Sequence, residues 1–193
     1  LFMLEEIGLK YSREDYGRQF NNTQTPEYKK LNPNSKVPTL IDGDTVIWES
    51  NTILRYLAAV HKPSLTGSTP AEKTLVERWM DWLLAALNTP YVAVFKDSKN
   101  EPAKRAADFD AQCADLIAQL KILEGHITGK PWLALDRMTI ADIALAPIVK
   151  RCLEFPIEKP GFPELARWLK AIEARPAFAV ATGTKPSALN TAA

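Results

Sequence analysis

Residues 61–70 (HKPSLTGSTP) separate two stretches of this chain that follow different periodicities. Two prolines, a glycine and several hydroxyl side chains between periodic segments are linker composition. Ahead of the linker, short strand and helix patterns alternate. Beyond it no strand pattern remains, and apolar residues recur at helical spacing. Such a chain is expected to fold as a small α/β unit followed by an all-helical one.

The first stretch opens with Leu1, Leu4 and Ile7 at helical spacing and Gly8 as a stop, so the sequence begins inside a helix. Lys10 to Tyr16 is polar but has enough Tyr and Ser for a short exposed strand. A short helix is expected over Pro26 to Leu31, with proline at its start. Val37 to Ile41 then reads as a strand, Asp42-Gly43-Asp44 as a tight turn, and Thr45 to Trp48 as the partner strand. Ser50 to Val60 carries Ile53, Leu54, Leu57 and Val60 on a helical stripe.

In the second stretch, Leu75, Trp79, Leu83 and Leu87 line one face of a helix over Ala71 to Phe95. Pro90 predicts a kink after Thr89. A second helix near Pro102 to Ile127 places Phe109, Cys113, Leu116, Leu120, Leu123 and Ile127 on a packing seam. A third starts at Thr139, where Thr139-Ile140-Ala141-Asp142 reads as a capping box and Met138 and Ile143 as a hydrophobic staple. A fourth, Pro163 to Ala174, buries Leu165, Trp168, Leu169 and Ile172. The small, polar tail after Gly183 is expected to fray.

Composition narrows the function classes. With 24 Lys+Arg against 23 Asp+Glu among 193 residues, the net charge of +1 gives no polybasic footprint, which argues against nucleic acid as partner. The longest uncharged apolar stretch, Trp82 to Phe95, is too short for a membrane span and is interrupted by Asn88 and Pro90. The two cysteines and two histidines have no metal-ligand spacing, and this cysteine usage fits a reducing compartment. Cys113 reads as seam packing and Cys152 as inert. His61 falls in the linker, and His126 sits at a helix end, where a cation suits the macrodipole. Trp79 and Trp82 read first as packing, with the alternative that one of them borders a hydrophobic substrate pocket.

Two segments carry candidate chemistry. Pro38 stands immediately before a strand that cannot hold proline in its interior. It is either an ordinary trans proline at a strand start or a cis one that turns the preceding backbone groups outward, where an extended peptide can pair with them. In Trp48-Glu49-Ser50-Asn51, a strand hands over to a helix. Ser50 offers a hydroxyl and a backbone N–H at a helix N-terminus, which suits a carboxylate, and Glu49 suits an ammonium group. The alternative is an N-cap serine beside a solvated glutamate.

Taken in order, L-N-P-x-x-K-V-P-x-L at 31–40, D-G-D at 42–44 and E-S-N-T-I-L-R-Y-L at 49–57 resemble the glutathione-binding domain of cytosolic glutathione S-transferases. T-I-A-D-I at 139–143 and R-P-A-F at 175–178 are similar to the family's second domain. The resemblance is to bacterial or theta-like members and covers nearly the whole chain. It implies a thioredoxin-like domain over 1–62, a linker at 63–70 and an all-helical domain over 71–193. It also implies that the Val37 backbone pairs with the cysteinyl part of glutathione and that Pro38 is cis. Lys36 would meet the glycyl carboxylate as a point charge. Ser50, with the helix N-terminus, would hold the γ-glutamyl carboxylate, and Glu49 its amino group. Glu77 matches only loosely a position that reaches a neighbouring subunit's glutathione, and it receives no role.

The family's thiol-activating residue lies after the first strand, next to the first helix. Both are expected before Leu1, so the catalytic residue is unknown here. The implied protein is a cytoplasmic homodimer that joins the glutathione thiolate to a small hydrophobic electrophile, with glutathione as co-substrate, no metal, and no nucleic-acid or membrane partner. The alternative is a non-catalytic binding or assembly module of the same fold.

Overall fold

The computed structural model describes residues 1–191. The described residues form two compact units, one comprising Leu1–Pro63 with residues 176–191, the other Ser64–Arg175.

In the first unit, α1 (Phe2–Ile7) buries Phe2 and Met3 and ends at Gly8, whose φ of 73° lets its N–H reach back to the Glu5 carbonyl. α2 (Pro26–Leu31) begins with the proline in its first turn, and Thr25 Oγ1 accepts from the Tyr28 N–H at 3.3 Å. Strands β1 (Thr39–Asp42) and β2 (Thr45–Trp48) form an antiparallel hairpin. Asp42 faces Thr45, which leaves Gly43-Asp44 as a two-residue turn with Gly43 at φ 56°. α3 (Ser50–His61) packs on the hairpin and buries Leu57 and Ala58.

α9 (Pro176–Ala181) packs against α1, with the rings of Phe2 and Phe178 edge to face at 5.2 Å. Helix α9 thus clusters with the α/β unit, although the resemblance implies an all-helical domain over 71–193.

Two expectations for this unit are corrected. Lys10 to Tyr16 forms no strand. Its one ladder contact is a parallel bridge between Tyr11 and Asn190. The tail through Thr191 is accordingly pinned instead of frayed, and its last two residues lie outside the described residues. The Tyr11 N–H donates to the Leu189 carbonyl at 3.0 Å, and the Thr191 N–H donates to the Tyr11 carbonyl at 2.7 Å. Ser187 Oγ accepts from the Leu189 and Asn190 N–H groups and donates to Glu5, which also accepts from the Tyr11 hydroxyl at 2.7 Å. The pairing gives partners to backbone groups on both segments.

In the second unit, α4 (Pro70–Trp82) is capped by Thr69 Oγ1 and runs into a π turn (Leu83–Leu87), followed by α5 (Asn88–Asp97). The interruption therefore precedes Pro90 and does not follow Thr89. A proline lacks its N–H and presses on the carbonyl four residues back, here Ala86, which lies in the widened turn. α6 (Phe109–Ile127) starts later than its apolar pattern suggests, because Pro102–Lys104 form a separate 3-10 turn. α7 (Ile140–Glu154) and α8 (Pro163–Glu173) complete the unit.

The core of this unit gathers Leu116, Leu120, Leu123, Ile127, Leu145, Val149, Leu165 and Trp168, all fully buried. Polar ties fix the helix ends. Glu124 accepts from the Glu164 and Leu165 N–H groups at 2.9 and 2.8 Å, filling the N-terminus of α8. The Thr139–Asp142 capping box forms as expected. Among the described residues no helix is long and apolar enough to cross a membrane.

Candidate functional site

The hairpin register pairs Thr39, the first residue of β1, with Trp48, the last of β2. Residues 36–38 enter the hairpin and residues 49–50 leave it at that same end. The two segments singled out from sequence are brought together by strand pairing alone.

The Val37–Pro38 peptide bond is cis, so the reading of Pro38 as an ordinary trans proline does not hold. Val37 is 47% exposed. The loop before it is held by two buried side chains that received no role from the sequence. Asn32, 2% exposed, donates from Nδ2 to the Lys36 carbonyl at 2.7 Å, and its Oδ1 accepts from the Asn34 N–H at 3.0 Å. Tyr28, 4% exposed, donates from its hydroxyl to the same Lys36 carbonyl at 2.9 Å, with Thr39 Oγ1 also at 2.9 Å. Gly17, at φ 74°, lies against Val37, since a Cβ there would stand 3.5 Å from the valine methyl. Asn32 stands within the quoted L-N-P motif. The hydroxyl of Tyr28 carries no local signal, because its target lies across a loop.

Glu49 adopts φ 70° and ψ 119°, a backbone conformation rare for any residue with a side chain. Such conformations persist where the surroundings over-determine them, commonly at binding sites. Here the Glu49 carbonyl already accepts from the Ile53 N–H at 2.9 Å, and Ser50 opens α3 directly behind it. The first turn of α3 holds no acidic side chain, and Glu49 makes no capping bond through its own carboxylate. The partial positive charge of the helix start is therefore open to an external anion. The side chains of Lys36, Glu49 and Ser50 are all exposed. This end of the hairpin thus offers a cation, an anion, a helix N-terminus and an exposed backbone turn.

His61 does not fall in the linker but ends α3 in the first unit, whereas Cys113, Cys152, His126 and Glu77 lie in the second. Burial pushes the Cys152 thiol up to about 12, so it stays protonated and unreactive. Burial also raises the half-buried Cys113, with Asp110 adding to the shift. His126 departs from its expected role as a helix-end cation. Its Nε2 stands 2.7 Å from the Leu133 carbonyl and its ring lies 4.3 Å from that of Trp79. Burial lowers its pKa, and nearby Lys130 and Arg78 oppose a further charge. Glu77 is exposed on α4. Among the described residues no group of three or more His, Cys, Asp or Glu is placed to hold a metal ion.

Comparison with known proteins agrees along most of the chain. The family model "Glutathione S-transferase, N-terminal domain" matches residues 1–59, and "Glutathione S-transferase, C-terminal domain" matches residues 63–176. Glutathione S-transferase GstB of Escherichia coli strain K12 is 31% identical over 182 residues, covering 92% of this chain and 88% of that protein. Glutathione S-transferase 4 of Zea mays is 30% identical, over 92% of this chain and 82% of its own length. The crystal structure of the theta class glutathione S-transferase from Xanthomonas axonopodis pv. citri, with glutathione bound, superposes with a TM-score of 0.88 at 35% identity. That match spans 98% of this chain and 91% of that one. The α/β unit with its small sheet is the thioredoxin-like domain of that fold, and the helical unit is its partner domain. By matched domains, identity and fold, the chain belongs to the glutathione S-transferase family.

Proposed function

We propose that this protein binds glutathione through Lys36, Val37, Pro38, Glu49 and Ser50 and joins its thiolate to a small hydrophobic electrophile. The observation that carries the reading is the hairpin register, which puts a backbone turn and a helix N-terminus at one end of the sheet. A tripeptide with a carboxylate at each end and one free amine matches that inventory.

The γ-glutamyl carboxylate sits on the Ser50 hydroxyl and the first N–H groups of α3, where the helix dipole favours negative charge. Its ammonium group pairs with the Glu49 carboxylate. The cysteinyl unit lies extended along Val37 and pairs with its backbone, as an added strand does. Lys36 balances the glycyl carboxylate as an exposed point charge.

In the reaction, the cysteinyl thiol releases its proton to solvent. The thiolate sulfur then attacks the electrophilic carbon. The C–S bond forms as the bond to the leaving group breaks, and the leaving group departs with the electron pair. Lys36, Val37, Glu49 and Ser50 bind and orient the peptide, and none of them is given the thiol-activating role. We place the protein in the cytoplasm as a homodimer, in keeping with the family and with two unpaired cysteines.

The test is a calorimetric titration with glutathione, followed in the same sample by conjugation to an aryl halide. Binding with release of halide is the expected result. Binding without conjugation would favour a binding module, and absence of binding would overturn the reading.

A further inference from the structure

We propose that Tyr28 and Asn32 are positioning residues for glutathione, because together they aim the backbone N–H of Val37. The inference rests on the reading of the site given above. The Lys36 carbonyl accepts from the Tyr28 hydroxyl at 2.9 Å and from Asn32 Nδ2 at 2.7 Å. A carbonyl oxygen has two lone pairs, and both are engaged by buried donors.

The peptide unit between Lys36 and Val37 is planar, and the cis bond of this loop is the one that follows it. In a planar trans unit the carbonyl and the N–H point in opposite directions. Holding the Lys36 carbonyl toward the buried hydroxyl and amide therefore turns the Val37 N–H the other way, toward the ligand side of the loop. Asn32 does more, since its Oδ1 accepts from the Asn34 N–H at 3.0 Å and its own carbonyl accepts from the Ser35 N–H at 2.9 Å. The loop from 32 to 36 is thereby closed on itself before Val37 is reached.

The hydroxyl of Tyr28 can be separated from its packing. The ring lies 4.7 Å from that of Tyr16, a contact that phenylalanine retains. Tyr28→Phe thus removes the bonds to the Lys36 carbonyl and to Thr39 Oγ1 while keeping the ring contact. Asn32→Asp keeps the shape but sets a carboxylate against the carbonyl oxygen. Thr39→Val removes the hydroxyl's other partner and leaves both donors on Lys36 in place.

Steady-state kinetics with glutathione as the varied substrate, paired with calorimetric titration, test the proposal. Tyr28→Phe is expected to raise both the glutathione KM and Kd by about tenfold, the scale of one hydrogen bond. At saturating glutathione, kcat should stay within about twofold, because only binding is lost. Asn32→Asp is expected to lose at least as much, and Thr39→Val to resemble the wild type. Should one of the first two variants fail to fold, the other carries the same test. Wild-type binding with unchanged affinity in either folded variant would overturn the positioning role alone. A loss in Thr39→Val equal to that in Tyr28→Phe would do the same, by marking general loosening of the loop. Failure of the wild type to bind glutathione would instead overturn the site assignment itself, and the positioning role with it.

Discussion

The indole Nε1 of Trp168 donates to Oδ1 of Asp142 at 3.0 Å, joining α8 to the start of α7 inside the helical unit. Oδ1 also accepts from the Leu133 N–H at 3.0 Å, while Oδ2 accepts from the Thr139 N–H at 2.8 Å and its hydroxyl at 3.0 Å. Every neighbour is a donor, so the site is built for an acceptor with two oxygens. Burial raises the Asp142 pKa, and these hydrogen bonds work against that shift. Asp142→Asn preserves the shape but turns an NH₂ toward donors. We expect a loss of about 2–4 kcal/mol in unfolding free energy, read from urea titration, as for a broken buried network. A loss within about 0.5 kcal/mol would mean that the network adds little to stability.

His126 should make stability depend on pH. Its folded pKa is lowered from 6.5, chiefly by burial beside Trp79, so the unfolded chain takes up the proton first. Its contribution is fully present above the unfolded value and is lost as pH falls toward the folded one. The urea midpoint of the wild type should therefore drop between about pH 7 and pH 5.5 more than that of His126→Gln. Parallel pH dependence in the two proteins would contradict this account of the ring.

The pinned tail makes a third prediction. Ending the chain at Lys185 removes the pairing of Leu189 and Thr191 with Tyr11 and the Ser187 bond to Glu5. Several backbone partners vanish from a half-exposed site, so thermal stability should fall by about 1–3 kcal/mol. Amide exchange should quicken at Tyr11 and Arg13, whose N–H groups bond the tail. Unchanged exchange there would show that the tail is not held in solution.

What the sequence disclosed was local. The hairpin follows from the Asp42-Gly43-Asp44 turn between two short strand patterns, and the start of α7 from four consecutive residues of a capping box. Failures arose where a partner lies far along the chain. Lys10 to Tyr16 has enough β-character to suggest a strand, yet its one bridge is to Asn190, which no local pattern announces. The widened turn before Pro90 distributes the proline's clash over preceding residues. The helix-end position of His126 is visible in sequence and suggests a cation, whereas the Trp79 ring beside it is not visible there.

Within the proposed site the division is the same. Glu49-Ser50 and Val37-Pro38 are visible as residues, but the left-handed φ of Glu49 and the Tyr28 hydroxyl on the Lys36 carbonyl are tertiary facts.

Lys36 and Ser50 should respond differently to salt. Lys36 is exposed, so Lys36→Ala should weaken glutathione binding modestly, with a loss that shrinks as ionic strength rises. The loss in Ser50→Ala should persist in salt, because it removes a hydrogen bond to an anion at a helix start. Equal salt sensitivity, measured by titration at low and high salt, would contradict that division.

The most direct test of the glutathione site is calorimetric titration of wild type and Ser50→Ala with glutathione under one set of conditions. Saturable one-site binding is expected of the wild type, with a loss of about 1–3 kcal/mol in the variant. Identical affinities would remove Ser50 from the site, and no heat of binding in the wild type would contradict the glutathione site as a whole.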